Sequence, residues 1–97
     1  MAKGMRSQRE QTPQSVLAEK LIEALRELGG SAKCVDVVNL MEKKLQGRLL
    51  PGDMEPDDHH QLKWKHQAHW ARDRLKLDGV IRDHSPRGYW QLNDEYR

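Results

Sequence analysis

The sequence predicts an α+β domain of three helices and a small antiparallel sheet, and two patterns in its second half carry this prediction. The first is an apolar stripe at i, i+4, i+7 and i+11, a spacing that puts side chains on one side of a helix. This stripe consists of Trp64, Ala68, Ala71 and Leu75. The second is a pair of short runs rich in β-branched and aromatic residues, separated by a turn that contains Pro86 and Gly88. Such a pattern is typical of a β-hairpin.

The first helix is predicted to begin at Thr12-Pro13. Thr is a good N-cap, and Pro at the first helical position loses no hydrogen bond. The apolar face of this helix comprises Val16, Leu17, Leu21, Ile22, Leu25 and Leu28. Gly29-Gly30 should end it, because glycine adopts the left-handed conformation that terminates helices.

A short strand and a second helix are predicted next. Ser31-Ala32-Lys33 suits an edge strand that pairs with the hairpin, and apolar residues at helical spacing predict a helix from residue 33 or 34 to about residue 45. Residues 46–56 contain two prolines and two glycines, which predicts a loop without a regular element, either a partner surface or a spacer. Asp57 or Asp58 is expected to cap the third helix.

The third helix should end at Asp78 and Gly79, and the hairpin follows directly. Val80-Ile81-Arg82 is predicted as its first strand, residues 84–88 as its turn and residues 89–92 as its returning strand. Helix, turn, strand, basic turn and strand in this order are typical of a winged helix-turn-helix. In that arrangement the helix enters a DNA groove and the hairpin tip reaches the neighbouring backbone.

Residues of this region also form a pattern that reads, loosely, aromatic, apolar, W-A, L, G-L-I, R-G-x-W-x-L. The pattern is carried by Trp64, Ala68, Trp70-Ala71-Arg72, Leu75, Gly79-Val80-Ile81, Arg87-Gly88, Trp90 and Leu92. It resembles the N-terminal domain of Mrr-type restriction endonucleases, over about residues 14–94 and loosely through residues 46–61. The resemblance implies a winged helix that binds DNA. Such domains are usually joined to a nuclease domain, for which these residues leave no room.

Length and composition bound the class of protein. Ninety-seven residues make one small domain, expected at residues 12–94 between a flexible basic N-terminal tail at 1–11 and a C-terminal tail at 95–97. Cys34 is the only cysteine, so no intrachain disulfide is possible and a reducing, cytoplasmic compartment is favoured. No apolar run suits a membrane span or a secretory signal, so no membrane partner is expected.

The formal net charge of +2 hides an uneven distribution. Residues 34–58 hold three basic against six acidic residues, whereas residues 59–92 hold seven basic against three acidic, together with all five histidines. Such an uneven charge distribution is typical of proteins that bind a polyanion. The alternative is that these charges only keep the surface well solvated. The predicted DNA-binding half is therefore the basic half.

Eight residues are candidates for contact with double-stranded DNA: Lys63, Lys65, His66, Gln67, His69, Arg72, Arg82 and Arg87. Lys63, His66 and Gln67 lie at i, i+3 and i+4 near the start of the third helix, where side chains can read base edges. The other members are expected to meet phosphates, with Arg87 at the hairpin tip as the strongest candidate. We expect these residues to form one positive ridge on a single side of the molecule.

The histidines also raise the question of a metal site. His66 and His69 have a helical ligand spacing, but zinc needs about four convergent ligands and the sequence has no C-x-x-C or H-E-x-x-H, so no metal or other cofactor is expected. Phosphate-contacting or solvated histidines are favoured, and their protonation should raise DNA affinity below about pH 6.5. The carboxylate and lysine motif of a nuclease, a phosphate-binding loop and a nucleophile motif are missing as well, so no catalysis is expected.

Aromatic and thiol side chains are interpreted as structural. Trp64 and Trp90 are predicted to be buried and Trp70 to pack at the margin of the apolar stripe, rather than to stack on bases. Cys34 is predicted to be a buried structural residue rather than a reactive thiol.

The sequence therefore predicts a non-catalytic winged-helix protein that binds double-stranded DNA. It would be either a transcription regulator or a detached DNA-recognition module of a restriction-type system. The alternative is a protein-interaction module that uses the same fold to dock onto a larger nucleic-acid machine. The acidic region from Asp36 to Asp58 would then be the docking surface. The residue pattern leaves the oligomeric state open.

Overall fold

A computed structural model describes residues 11–56 and 61–97 of the chain. The fold is α+β, with three helices and a two-stranded antiparallel sheet, as predicted at this level. In chain order the elements are α1 (Gln14–Glu27), β1 (Ser31–Lys33), α2 (Cys34–Lys44), α3 (Lys63–Leu77) and β2 (Tyr89–Gln91). Short 3-10 turns occupy Pro51–Met54 and Asp94–Tyr96. The predictions for residues 1–10 of the N-terminal tail lie outside the described residues. The N-cap of α3 is Leu62 and no side chain in the described ranges caps this helix, so the prediction that Asp57 or Asp58 caps it is wrong.

The core confirms the apolar stripe of the third helix. Trp64, Ala68 and Ala71 are completely buried and Leu75 nearly so. They pack against α1, which in turn packs against α2. The side chains that α1 and α2 bury here are Leu17, Leu21, Ala24, Leu25, Val37 and Met41. Each of the larger ones contributes roughly 1.5–3 kcal/mol through the apolar surface that it removes from water.

The sheet joins segments that are far apart in sequence. β1 pairs antiparallel with β2, with Ala32 opposite Trp90, which confirms the predicted edge strand. The strand predicted before the turn is reduced to a single bridge between Ile81 and Leu92, next to a hydrogen bond from the Arg82 N–H to the Gln91 carbonyl (2.9 Å). On the other side of the bridge the Asn93 N–H donates to the Val80 carbonyl (2.9 Å). Toward the turn the Tyr89 N–H donates to the Pro86 carbonyl (2.9 Å), within the turn rather than across to the first strand.

The segment before α3 contains a buried carboxylate that the sequence analysis missed. Asp53 is fully buried in the 3-10 turn Pro51–Met54, so the prediction of a loop without a regular element is wrong there. Its oxygens accept the N–H groups of Thr12 and Leu50, each at 2.8 Å, and the Thr12 hydroxyl. Thr12 therefore bonds to Asp53 rather than capping α1, whose N-cap is Pro13. The start of α1 is tied in this way to the chain that leads into α3.

The ends of the described chain also pack onto the fold. The Arg26 guanidinium donates to the Tyr96 carbonyl (2.9 Å), and Arg97 donates to the Gly29 carbonyl (3.2 Å). Tyr96 packs partly buried against the core. Residues 95–97, assigned from the sequence to a tail, are therefore in contact with the end of α1.

Cys34 is the first residue of α2 and packs partly buried against the core. In the part of the chain that the structure describes, no helix has the length and apolarity needed to cross a membrane.

Asp53→Ala is expected to lower the free energy of unfolding by about 2–4 kcal/mol, because it leaves the N–H groups of Thr12 and Leu50 without their acceptor. Urea denaturation followed by circular dichroism measures the change. Glu42→Ala removes the same charge from an exposed position on α2 and should cost no more than about 0.5 kcal/mol. Equal losses in the two variants would contradict the role given to Asp53.

Candidate nucleic-acid interface

A second stripe of side chains runs along α3 beside the buried one. It repeats the i, i+4, i+7 and i+11 spacing one residue later and is basic: Lys65, His69, Arg72 and Lys76. We call it the basic stripe. Since each residue turns a helix by about 100°, burial of the apolar stripe fixes the direction of the basic stripe as well. It borders the hairpin, because Arg72 and Lys76 line the space between α3 and the hairpin.

This space is a groove of about 270 Å³, which we call the α3–hairpin groove. Its cationic lining consists of Arg72, Lys76, Arg82 and Arg87. Asp83 is the one carboxylate among the described residues of the lining. Charges of one sign in a concave surface reinforce one another, so the groove attracts anions.

Trp90 forms the inner wall of the groove and is only 6% exposed. The guanidinium carbon of Arg72 lies 5.7 Å from the centroid of the Trp90 ring, and the His69 ring meets the Trp90 ring edge-on with centroids 5.3 Å apart. A cation over a tryptophan ring is stabilised by roughly 0.5–2 kcal/mol. Trp90 thus holds two members of the basic stripe in fixed positions.

Two polar atoms in the groove lining are buried and have no hydrogen-bond partner in the described parts of the chain. They are Nε of Arg72 and Oγ of Ser85. The other end of the Arg72 guanidinium does have a partner, since Nη2 lies 3.1 Å from the Asp73 carboxylate. A buried polar group without a partner lowers the stability of the fold by roughly 1–3 kcal/mol. A ligand whose oxygen or nitrogen atoms form hydrogen bonds with these two atoms would recover part of this free energy.

The hairpin presents its two arginines differently. Arg82 donates from Nη2 to the Asp94 carboxylate at 2.8 Å. Arg87 is exposed and forms no ion pair within residues 11–56 and 61–97. It occupies the second position of a turn closed by the hydrogen bond from Tyr89 to Pro86, with Gly88 at φ +80° in the third position. A type II turn requires such a positive φ there, which explains why the sequence has glycine after Arg87.

The eight predicted DNA contacts do not all share this surface. Lys65, His69 and Arg72 belong to the basic stripe, and Arg82 and Arg87 line the groove. Lys63 and Gln67 lie roughly 140–180° around α3 from Arg72. Lys63 pairs there with Glu55 (3.1 Å), and Gln67 accepts a hydrogen bond from Gln14 (3.2 Å). The expectation of one ridge on a single side is therefore wrong for Lys63 and Gln67, because both face the chain around the start of α1.

The side of α3 farthest from the core carries little that could bind DNA. This outer face consists of His66, Trp70, Asp73 and Leu77. Trp70 is 54% exposed and Leu77 is 83% exposed, so the prediction that Trp70 packs at the margin of the apolar stripe is wrong. The two residues are seven positions apart and therefore share one side of the helix. His66 lies against Trp70, with ring centroids 6.0 Å apart.

Lys76 is the groove residue that the sequence analysis missed. It follows Arg72 by one helical turn and continues the basic stripe, so the same periodicity that identified the core could have identified it.

Burial lowers the pKa of His69 below its ordinary value of 6.5. The positive charge of Arg72 acts in the same direction, Asp73 opposes it, and His66 adds a smaller decrease. His69 is therefore neutral at pH 7. The expected gain in DNA affinity on histidine protonation should set in for this residue at a lower pH than about 6.5.

A comparison of the chain with known protein families, with curated proteins and with solved structures finds no match. The described residues also hold no group of three or more His, Cys, Asp or Glu side chains arranged to bind a metal ion. The interface is consequently defined by its own geometry and charge.

The lowered pKa of His69 predicts how stability depends on pH. In the unfolded chain His69 takes up a proton near pH 6.5, whereas in the folded chain it does so only at lower pH. Its contribution is therefore complete above about pH 6.5 and is lost as the pH falls from there through the folded pKa. We expect His69→Gln to lose less stability than the unsubstituted chain when urea denaturation is repeated at about pH 5 instead of about pH 7.5.

If His69→Gln and the unsubstituted chain lost the same amount, the proposed environment of His69 would be wrong.

Proposed function

We propose that this chain is a winged-helix protein that binds double-stranded DNA through the α3–hairpin groove and catalyses no reaction. The observation that carries the proposal is that Arg72 and Lys76 of the basic stripe line one concave surface together with the hairpin arginines, Arg82 and Arg87. Winged helices bring a helix and a hairpin against neighbouring parts of a duplex, and a fold of three helices with a hairpin is compatible with that arrangement.

The resemblance to the N-terminal domain of Mrr-type restriction endonucleases supports the proposed fold. Several residues that carry it are core residues here: Trp64, Ala68, Ala71, Leu75, Ile81, Trp90 and Leu92. A pattern made of core positions bears on architecture more than on chemistry. The proposal of DNA binding therefore rests mainly on the groove.

The proposed contacts are chiefly with phosphates. Lysine and arginine side chains bind the backbone and fix the position of a protein on the duplex, whereas base readout needs donors and acceptors that enter the groove of the DNA. The outer face of α3 offers Trp70, Asp73 and Leu77 instead, with His66 as its one candidate for base readout. Binding should therefore show little sequence preference and a strong dependence on salt.

The lining of the groove also supports a non-catalytic role. Metal-assisted hydrolysis of a phosphodiester needs carboxylates around a metal ion, with groups that activate water. Among its described lining residues the groove offers several cations and Asp83. Such a set is suited to holding an anion rather than to cleaving one.

Arg87→Ala should weaken binding to all duplexes and reduce the magnitude of the salt slope, d log K / d log [salt], by about 0.9, since one phosphate contact is lost. Lys76→Ala should have a similar effect, because Lys76 lines the same groove. Fluorescence anisotropy with a labelled nonspecific duplex at several salt concentrations measures both quantities.

Arg74→Ala is the matched control. Arg74 carries the same charge on the same helix but is paired with Asp78 outside the groove. It should leave the slope nearly unchanged. If the three variants behaved alike, binding would depend on total charge and the groove would lose its assigned role.

One observation favours the second candidate, a module that docks onto a partner protein. Trp70 and Leu77 are exposed together on the outer face of α3, and exposed aromatic residues are typical of protein interfaces. A titration with duplex at low salt separates the two candidates. Binding at micromolar concentration that weakens steeply with added salt supports DNA binding, and no binding at low salt would overturn it in favour of docking.

A further inference from the structure

The cationic side chains of the α3–hairpin groove differ in whether they already have a partner. Its four cationic residues are not equivalent, because Arg82 is already bonded to Asp94. Lys76 and Arg87 form no ion pair with any described residue. The unpaired charge is thus concentrated between the second half of α3 and the turn of the hairpin.

Arg72 is held at the inner wall of this region in a preset orientation. Its guanidinium lies over Trp90, and its Nη2 lies near Asp73, but its Nε has no hydrogen-bond partner in the described chain. Arginine binds phosphate through two parallel N–H groups of its planar head, so an unused N–H on a fixed guanidinium suits this chemistry.

Ser85 contributes to the groove lining a second polar group without a partner in the described chain. Its hydroxyl is buried, lines the groove and has no partner among the residues that the structure describes. Ser85 immediately precedes the turn that holds Arg87, and Pro86 between them limits the backbone conformation at the start of that turn. Neither Nε of Arg72 nor Oγ of Ser85 is exposed to solvent, so an anion meets the exposed Arg87 first and reaches these two atoms through small shifts of the groove lining.

The size of the groove limits the ligand. About 270 Å³ is slightly less than the roughly 300–1,000 Å³ of sites for drug-sized ligands. A tetrahedral oxyanion with its bound water fits, and the cationic lining excludes an apolar ligand of the same size.

From these observations we infer that the groove contains a discrete site for one phosphate group, formed by Arg72, Lys76, Ser85 and Arg87. The phosphate group would belong to the backbone of duplex DNA, and in this respect the inference rests on the proposed function. A terminal phosphate or free inorganic phosphate has the same chemistry, and the experiment distinguishes these sources.

The test uses the whole chain and inorganic phosphate as the probe. Phosphate replaces chloride at constant ionic strength while NMR follows the Arg72 Nε–H and Trp90 indole signals. We expect both signals to move with one saturable curve and a dissociation constant on the order of millimolar, as for a small ligand held by few contacts. The Nε–H signal of Arg74 should not move, because Arg74 lies outside the groove.

Two variants test the assigned atoms. Arg72→Lys keeps the charge but removes the paired N–H groups, and should weaken phosphate binding about tenfold. Ser85→Ala removes only the hydroxyl and should weaken it about threefold or more. Arg74→Lys is the control for the first and should have no effect. Thermal unfolding of each variant checks that the fold persists.

Competition with duplexes then identifies the source. Displacement of phosphate by a duplex without terminal phosphates supports the inference with the backbone as the source. Displacement only by a 5′-phosphorylated duplex supports the site and overturns the backbone assignment.

The inference and the proposed function can fail separately. Saturable phosphate binding without duplex binding would support the site and overturn the DNA-binding function. Duplex binding without any saturable phosphate shift, and unaffected by Ser85→Ala and Arg72→Lys, would overturn the site and leave the function standing.

Discussion

The burial of one side of α3 against α1 is the interaction on which the rest of this structure depends. Because four apolar side chains at successive turns must all be buried, α3 can have only one rotation about its own axis. Trp64 is completely buried in this orientation. Any other rotation would expose part of this stripe to water, at roughly 25 cal/mol for each Å². Every remaining side chain of α3 takes its direction from this constraint, including the neighbouring basic residues that come to face the hairpin.

Trp90 couples that helix to the sheet. Its backbone pairs with Ala32, while its ring contacts His69 and Arg72 of α3. The ring therefore serves two purposes, since it fills the space between helix and sheet and also positions charged groups at the edge of the core. Arg72 is positioned because its guanidinium lies over the Trp90 ring and its Nη2 lies 3.1 Å from the Asp73 carboxylate.

Periodicity and turn residues predicted the architecture because they act locally. The apolar stripe of α3, the strand before α2 and the turn around Gly88 each follow from residues a few positions apart. Two of the errors concern contacts between distant residues. Thr12 meets Asp53 across 41 positions, and Gln14 meets Gln67 across 53, and neither partner can be identified before α1 and α3 are packed together. The division of the predicted DNA surface has the same origin, since only packing reveals which flank of α3 borders the hairpin.

The pairing of β2 with β1 has a consequence for how the shape of the groove could change. The Leu92 N–H bonds to the Gly30 carbonyl and the Cys34 N–H to the Gly88 carbonyl (2.8 Å each), so the residues on either side of β1 hold both ends of β2. Side chains along a strand alternate between its faces, so inserting or deleting a single residue between Gly30 and Cys34 would slip the register. Either Trp90 would turn away from α3 or the hairpin would shift along it. The length of the segment between Gly30 and Cys34 therefore sets the width of the α3–hairpin groove, although β1 does not line that groove. A change in this length would alter the shape of the groove without changing any of its charges.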